Sequence, residues 1–182
     1  FWANENPIES YRANVAATIE RVTTLNCRRY VYLSTIDVYG DSRNDPAANT
    51  EDAPITLDGL ETYGFQKHLS EQIVRHHMPG SLVLRVGTLI GPGLRKNPIH
   101  DALIGLPIRQ TPESTLSLIT LGKLEEALDL LLAVDAKGVF NVTAGTAVDV
   151  ATMLRRVAEA LGPDALSPTF HPELLTTAYN IS

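Results

Sequence analysis

The chain has 182 residues and a net charge of −6, with 44% apolar and 20% charged residues. This is an ordinary globular composition, and the acidic balance argues against nucleic acid or an anionic membrane as the main partner. No apolar run approaches the ~18 residues of a membrane span. The single cysteine, Cys27, cannot form an internal disulfide, which favours a cytoplasmic location.

The first part of the chain predicts a helix and then a buried strand. Apolar residues at helical spacing predict a helix over residues 8–25, and the run RYVYLS at 29–34 predicts a parallel strand. A polar stretch at 41–57 predicts a surface loop. Because active sites of open α/β sheets lie outside the carboxyl ends of strands, Thr35 and Asp37 are candidate site residues.

A second helix is predicted from the capping-box spacing of Asp58 and Glu61, and it ends at His77 before a Pro-Gly pair. This helix carries Tyr63 and Lys67, which are four residues apart and therefore share a face. A free phenol has a pKa near ~10, and a nearby ammonium is expected to lower it. The pair is thus predicted to move a proton on or off a substrate hydroxyl.

The second half of the chain continues to alternate strands and helices. No element is predicted for the tail after residue 161. The alternation favours an α/β fold with a mainly parallel sheet. The predicted strands are 81–90, 116–121 and 138–142, and the predicted helices are 97–106, 123–134 and 148–161.

Several separate segments occur in the order that one enzyme family uses. They are Tyr11-Arg12-Ala13-Asn14-Val15 through Thr18, Ser34-Thr35 with Val38-Tyr39-Gly40, Tyr63 with Lys67, Leu84-Arg85 to Gly91-Pro92-Gly93, and Gly138-Val139-Phe140-Asn141-Val142. As an ordered set they resemble the extended short-chain dehydrogenase/reductases, in particular the NAD-dependent epimerase/dehydratase family acting on nucleotide sugars.

The resemblance implies a Rossmann-like, doubly wound parallel sheet, of which this chain has the C-terminal portion, and a small substrate-binding lobe. The NAD(P)-binding domain is expected at 1–92 and 115–145, and the partial lobe at 93–114 and 146–182. NAD or NADP is the implied cofactor, a nucleotide sugar is the implied substrate, and no metal is expected.

The resemblance also implies roles for single residues. Tyr63 would be the acid/base, and Lys67 would lower its pKa and bind the nicotinamide ribose. Thr35 would bind the reacting sugar hydroxyl, while Asp37 either joins the chemistry or caps the following turn. The further cofactor contacts implied are Asn14, Ser34, Val86 and Gly87, and the further substrate contacts are Thr88, Arg95 and Lys96.

Three departures from the family pattern qualify the resemblance. The glycine-rich dinucleotide loop is absent, and we expect it upstream of Phe1 in an N-terminally truncated chain. The dehydratases of the family have an Asp–Glu pair where this chain has Ile36-Asp37, which argues against dehydration. Many relatives have an arginine near position 116, and Arg95 and Lys96 are the candidates to replace it.

The sequence therefore predicts an NAD(P)-dependent nucleotide-sugar epimerase or reductase. A sugar-nucleotide dehydratase, a non-catalytic dinucleotide-binding protein and an inactive fragment remain alternatives. A homodimer is also expected, because relatives pair through helices corresponding to 11–25 and 60–77. The apolar stripe Phe65, Leu69 and Ile73 lies away from the Tyr–Lys pair and fits such an interface.

Overall fold

The computed structural model describes residues 2–45, 47–95, 97–166, 168–175 and 178. Strands and helices alternate along most of the chain, so the predicted α/β class is confirmed. In chain order the elements are α1 (Trp2–Glu5), α2 (Pro7–Tyr11), a π-helical turn (Arg12–Ala16), α3 (Ala17–Thr24), β1 (Val31–Thr35), a 3-10 segment (Ile36–Asn44), α4 (Thr62–His77), β2 (Leu82–Val86), β3 (Thr88–Ile90), α5 (Pro98–Leu103), β4 (Ile108–Gln110), β5 (Thr115–Thr120), α6 (Leu121–Ala133), β6 (Gly138–Val142), β7 (Ala147–Asp149), α7 (Val150–Leu161), a short 3-10 turn (Pro163–Ala165) and β8 (Phe170–Leu175).

A parallel sheet of order β1-β2-β6 forms the centre of the molecule. All five residues of β2 are buried, as expected for a middle strand covered on both faces. Successive side chains of a strand point to opposite faces, and β2 shows this. Val83 packs with Val22 of α3 and Val74 of α4, whereas Leu84 packs with Leu124 of α6. Helices thus cover both faces of the sheet.

A second sheet, of order β3-β5-β7, continues from the end of β2. β3 is parallel to β5, while β7 is antiparallel to it. Strands β4 and β8 form a separate parallel pair. A further apolar core lies between these strands and α7, and its buried members are Ala102, Ile108, Leu116, Val150, Met153, Leu154 and Leu166.

The predicted strand at 81–90 is in fact two strands that break at Gly87. A side chain at Gly87 would collide with the carbonyl oxygen of Ser117, so only glycine lets the chain pass this close to β5. The predictions for the second half also lacked β4, β7 and β8, and the tail contains β8 where no element was expected.

The predicted capping box before α4 is wrong. The helix begins at Thr62 with Glu61 as its N-cap, and that residue makes no side-chain capping bond. Asp58 lies in a turn, followed by Gly59 at φ +83°. Since that turn reverses the chain three residues before the helix, Asp58 is not in position to cap it.

The buried face of α4 is mostly polar. Phe65 of the predicted apolar stripe is 43% exposed. Only Val74 among the buried residues of the helix is a large apolar one, and it packs with the partly buried Ile73 against the sheet; hydrogen bonds of the buried polar residues add to this packing. The buried residues are Gly64, Gln66, Lys67, Ser70, Glu71 and Val74.

Among the described residues, none of the helices has the length and apolar character needed to cross a membrane.

Candidate active site

The carboxyl end of β1 carries two polar side chains that bond to each other. The hydroxyl of Thr35 donates to Oδ2 of Asp37 at 3.0 Å, and the backbone N–H of Asp37 donates to the Thr35 hydroxyl at 3.2 Å. Thr35 also serves as the N-cap of the 3-10 segment. Thr35, and not Asp37, is therefore the residue that caps the following turn, and the Asp37 carboxylate lies beside the candidate catalytic hydroxyl.

Helix α4 approaches the backbone of this turn very closely. A Cβ placed on Gly64 would collide with the carbonyl oxygen of Asp37. Glycine at this position therefore lets α4 bring Tyr63 beside the end of β1. The closeness is also visible in the electrostatics, because the carboxylate of Asp37 acts on the phenol of Tyr63.

The pKa of Tyr63 lies above its usual range in this structure, contrary to the expectation that Lys67 lowers it. Although 37% of Tyr63 is exposed, burial around its phenol, together with Asp37 and Tyr32, raises the pKa to about 12. All three influences disfavour a phenolate. The phenol of Tyr63 is therefore protonated at neutral pH.

Lys67 is buried and is held by β1. Its Nζ donates to the carbonyl oxygen of Leu33 at 2.7 Å and lies 4.3 Å from the centre of the Tyr32 ring. Burial lowers the pKa of Lys67 to about 8, and the carboxylate of Glu71 acts in the opposite direction. The ammonium is thus engaged with β1, which explains why it does not lower the pKa of Tyr63 here.

Two of the expected cofactor contacts are engaged inside the protein. Ser34 donates to Oε1 of Glu71 at 2.5 Å, because even-numbered residues of β1 face α4. Asn14 lies in the π-helical turn, where its amide donates to the carbonyl oxygen and the hydroxyl of Ser10 at 3.0 and 3.2 Å. The structure brings Ser34 next to the site but turns its hydroxyl away from the strand end.

The remaining expected contacts fall at the strand ends or beyond them. Val86 ends β2, and the N–H of Gly87 donates to the carbonyl oxygen of Val142 at 3.1 Å. Thr88 begins β3 and is partly exposed. Arg95 is exposed on the loop before α5, and Lys96 lies outside the described residues.

A buried ion pair next to the site was not predicted. Both oxygens of Glu71 accept hydrogen bonds from Arg85, at 3.1 Å from Nε and 2.8 Å from Nη2. Arg85 also donates to the hydroxyl of Tyr39 at 3.0 Å, which in turn donates to Asn141 at 2.8 Å. A charged residue inside the apolar run of β2, and Glu71 four residues after Lys67, were the signals in the sequence.

Burial alone would raise the pKa of Glu71, but its hydrogen bonds and the charge of Arg85 outweigh it and lower the pKa to about 2. His68 lies 3.9 Å from this carboxylate, too far for a hydrogen bond. Arg85 and Ser34 are therefore the partners that hold Glu71 ionised. Within the described part of the chain, no group of three or more His, Cys, Asp or Glu residues is arranged to hold a metal ion.

A parallel sheet with helices on both faces and polar groups at its strand ends defines an α/β protein of the Rossmann type. The NAD dependent epimerase/dehydratase family matches residues 1–143, and the chain belongs to this family. The resemblance in the motifs is thereby confirmed. No curated protein is significantly similar to the chain in sequence.

Solved structures share the fold. An NAD-dependent NDP-hexosamine 5,6-dehydratase, TunA, superposes with a TM-score of 0.79 at 18% identity, covering 99% of this chain and 63% of that one. A dTDP-glucose 4,6-dehydratase from Bacillus anthracis, in complex with NAD, gives 0.74 at 20% identity, covering 97% and 61%. A UDP-galactose 4-epimerase gives 0.73 at 25% identity, covering 97% and 62%. The chain spans less than two thirds of the length of each.

Proposed function

We propose that the protein is an NAD(P)-dependent nucleotide-sugar epimerase or reductase in which Tyr63 transfers the proton. The observation that supports this most is the grouping of Thr35, Tyr63 and Lys67 at the end of β1, in a chain of this family. Related structures described with NAD bound support the choice of cofactor.

The donor set fits the nicotinamide riboside half of a dinucleotide. A buried ammonium and a phenol suit the two hydroxyls of a ribose, and the Thr35 hydroxyl suits a sugar oxygen. No glycine-rich turn of the form G-x-G-x-x-G, which binds the pyrophosphate in Rossmann folds, occurs in the 182 residues. When bound, the nicotinamide supplies the hydride or takes it up.

The proton transfer is assigned to Tyr63 and its neighbours. With its pKa raised to about 12, Tyr63 is protonated at neutral pH, and in the reductive direction it would donate that proton to a sugar carbonyl oxygen. While Asp37 accepts the Thr35 hydrogen, the Thr35 oxygen can accept a hydrogen bond from a sugar hydroxyl; to orient the carbonyl oxygen it would turn that hydrogen from Asp37 to the sugar. In the reverse direction Tyr63 must accept a proton, which requires the Lys67 ammonium to come closer to the phenol than it is here.

We favour epimerisation or reduction over dehydration because Ile36 stands where the family's dehydratases have a carboxylate. Elimination of water needs an acid and a base at the sugar, and Asp37 alone does not supply both. A dehydratase remains the alternative for the reaction. Thr88, Arg95 and Lys96 are the proposed substrate contacts.

One observation favours a second function, that of a non-catalytic dinucleotide-binding protein. The pKa of Tyr63 is about 12, far from neutral, while efficient acid–base catalysts have values close to the working pH. In such a protein the site would bind a nicotinamide dinucleotide and turn over no sugar.

The test uses the complete translation product of the gene with NAD or NADP and a panel of UDP- and dTDP-hexoses. We expect sugar-dependent reduction of the cofactor or interconversion of sugar epimers, and at least a ~100-fold loss of turnover in Tyr63→Phe. Dinucleotide binding without turnover of any sugar would favour the binding protein. Full activity of Tyr63→Phe would contradict the assigned role of the tyrosine.

We further propose the two-part division stated above, with cofactor binding at 1–92 and 115–145 and substrate binding at 93–114 and 146–182. Limited proteolysis with and without UDP-glucose would test it, since ligand should protect the second set of segments preferentially. The cytoplasmic location also stays a prediction.

We also propose that the protein forms a homodimer through its first helices and α4. Ile8, Tyr11 and Phe65 are 68%, 48% and 43% exposed on helices that pack together, and apolar surface of this kind is typical of an interface. Phe65→Asp should yield monomers in light scattering. Leu130→Asp, at the 70% exposed Leu130 of α6, is the control that should leave the assembly unchanged.

A further inference from the structure

One carboxylate links the helix of the candidate site to two strands of the sheet. Glu71 is fully buried on α4, one turn beyond Lys67. It accepts a 2.5 Å hydrogen bond from Ser34 of β1 and two hydrogen bonds, at 3.1 and 2.8 Å, from Arg85 of β2. Ser34 and Arg85 are direct partners in the register of the two strands. Glu71 therefore bonds to one pair of neighbouring residues in the two strands.

The two residues that donate hydrogen bonds to Glu71 each come directly before a strand-end residue of the candidate site. Ser34 is followed by Thr35, and Arg85 is followed by Val86 at the end of β2. A shift of Glu71 along the helix axis would therefore move Tyr63 and Lys67 relative to both strand ends. A displacement of about 1 Å of a catalytic group can lower the rate ~100-fold. The hydrogen bonds from Ser34 and Arg85 to Glu71 are therefore in a position to affect the rate of reaction.

Stability alone gives a weak reason for such a pair. Burying two charges requires removing water from both, and well-packed apolar residues often replace a buried ion pair without loss of stability. Here, however, the apolar packing of α4 is limited, with Val74 as its one large buried apolar residue. Orientation of the helix then depends on directed hydrogen bonds rather than on non-directional packing.

We propose that Glu71 is a positioning residue which, through Ser34 and Arg85, fixes the Tyr63–Lys67 face of α4 against the ends of β1 and β2. The inference rests on the proposed function for the chemistry that the face performs. It assigns the hydroxyl of Ser34 to this link and not to the cofactor.

The charge of Glu71 has a second effect, on Lys67. The titratable side chains packed around Lys67 and Tyr63 are Tyr32 on β1, Asp37 on the 3-10 segment, and Glu71 on α4 itself. Of these, Glu71 is the group that raises the pKa of Lys67 against the lowering by burial. Without it, the lysine would lose its proton at a lower pH than about 8.

The first experiment compares Glu71→Gln with the double variant Glu71→Gln/Arg85→Gln in the complete protein. The double variant removes both charges, so no buried charge is left unpaired and folding should recover relative to the single variant. If Glu71 positions the site, kcat of the double variant stays roughly 10- to 100-fold below wild type, while KM for the sugar nucleotide changes less than about threefold. A folded double variant with wild-type kcat would overturn the proposal.

The second experiment does not depend on turnover. The Nζ of Lys67 is titrated by NMR in wild type and in Glu71→Gln. The midpoint in the variant is expected to lie at a lower pH than in wild type. If no nucleotide sugar is turned over, the proposed function fails, but this titration still tests the link. An unchanged midpoint would overturn it.

Two serine variants cover the case in which the charge variants do not fold. Ser34→Ala removes one donor from Glu71 and leaves the ion pair intact, and we expect a several-fold lower kcat with unchanged dinucleotide affinity. Ser70→Ala is the matched control, because Ser70 is also a buried serine, located on α4, but donates to the carbonyl oxygens of Asn14 and Gln66 and not to Glu71. Equal kcat in both variants, or weaker dinucleotide binding with unchanged kcat in Ser34→Ala, would overturn the proposal.

Discussion

The Nζ of Lys67 donates a 2.7 Å hydrogen bond to the carbonyl oxygen of Leu33, two residues before Thr35. This bond places the ammonium of α4 directly against β1, above the ring of Tyr32. Both partners are neutral, so they only partly replace the water that the ammonium loses on burial. The result is the pKa of about 8, and it has a consequence for stability.

The first prediction concerns stability at alkaline pH. Lys67 has a pKa of about 8 in the folded protein and near 10.5 when unfolded, so between these values the unfolded chain binds more protons. The free energy of unfolding should therefore rise with pH across this window, by on the order of 3 kcal/mol from this group. Urea unfolding at several pH values measures it.

Lys67→Met should remove that rise, whereas Lys137→Met, at a lysine 61% exposed beside Asp135, should keep it. Tyr63 acts oppositely and only above pH 10, because its pKa is raised from 10.0 to about 12. Its contribution is present below pH 10 and is lost as the pH rises towards 12. Parallel pH profiles for wild type and Lys67→Met would refute the burial of a depressed lysine.

The second prediction concerns the close approach of α4 to β1. Gly64→Ala puts a methyl group against the carbonyl oxygen of Asp37, and the helix must move away, which should cost about 1–3 kcal/mol of stability. Turnover should fall as well, because Tyr63 moves with the helix. Thermal unfolding and kcat measure the two effects.

Gly122→Ala is the matched control for this substitution. Gly122 lies in α6, and an added Cβ would meet nothing within 4 Å. Alanine there should stabilise the helix by about 0.5–1 kcal/mol. A Gly64→Ala protein as stable as the Gly122→Ala protein would mean that the contact with Asp37 is not tight.

The third prediction compares helix caps. Asp149 caps α7 by accepting from the N–H of Thr152 at 2.7 Å, so Asp149→Ala should cost about 1 kcal/mol. Glu61 caps α4 without a side-chain bond, so Glu61→Ala should change the unfolding free energy by less than ~0.5 kcal/mol. A larger loss of unfolding free energy in Glu61→Ala than in Asp149→Ala would support the predicted capping box of Asp58 and Glu61.

Some elements of the fold could be predicted from the sequence and others could not. Periodicity predicted β6 at 138–142 and the end of α4 at His77 correctly, because these segments combine a strong apolar pattern with Pro or Gly at their ends. β4 and β7 have three residues each, too few for any period to show. The break at Gly87 depends on the position of β5, which lies thirty residues away in the chain.

The candidate site, too, could be predicted from the sequence only in part. The motif order predicted that Thr35 and Asp37 lie near α4, and the structure brings the backbone of Asp37 against Gly64 in the first turn of that helix, with Thr35 bonded to Asp37. The pKa of Tyr63 was not predictable, because it depends on burial and on Asp37 rather than on the lysine four residues away. The link between Glu71 and Arg85 was missed because apolar periodicity assigns charged residues to the surface, and here two of them pair inside.

The fourth prediction concerns acid stability, and it follows from the same ion pair. The pKa of Glu71 is lowered from 4.5 to about 2 in the folded protein. Its contribution to the free energy of unfolding is therefore fully present above pH 4.5 and is lost as the pH falls towards 2. Glu71→Gln should be destabilised by about 3–5 kcal/mol at neutral pH, since Arg85 is left buried without its partner.

The same variant should also lose part of the acid dependence. Glu159→Gln is the control, because Glu159 pairs with Arg155 on the surface, where both side chains are 61% exposed. That change should cost less than ~1 kcal/mol. Urea unfolding of the three proteins between about pH 2 and pH 7 measures both effects. A Glu71→Gln protein with the acid profile and neutral stability of wild type would show that the pair carries no net charge interaction in the folded state.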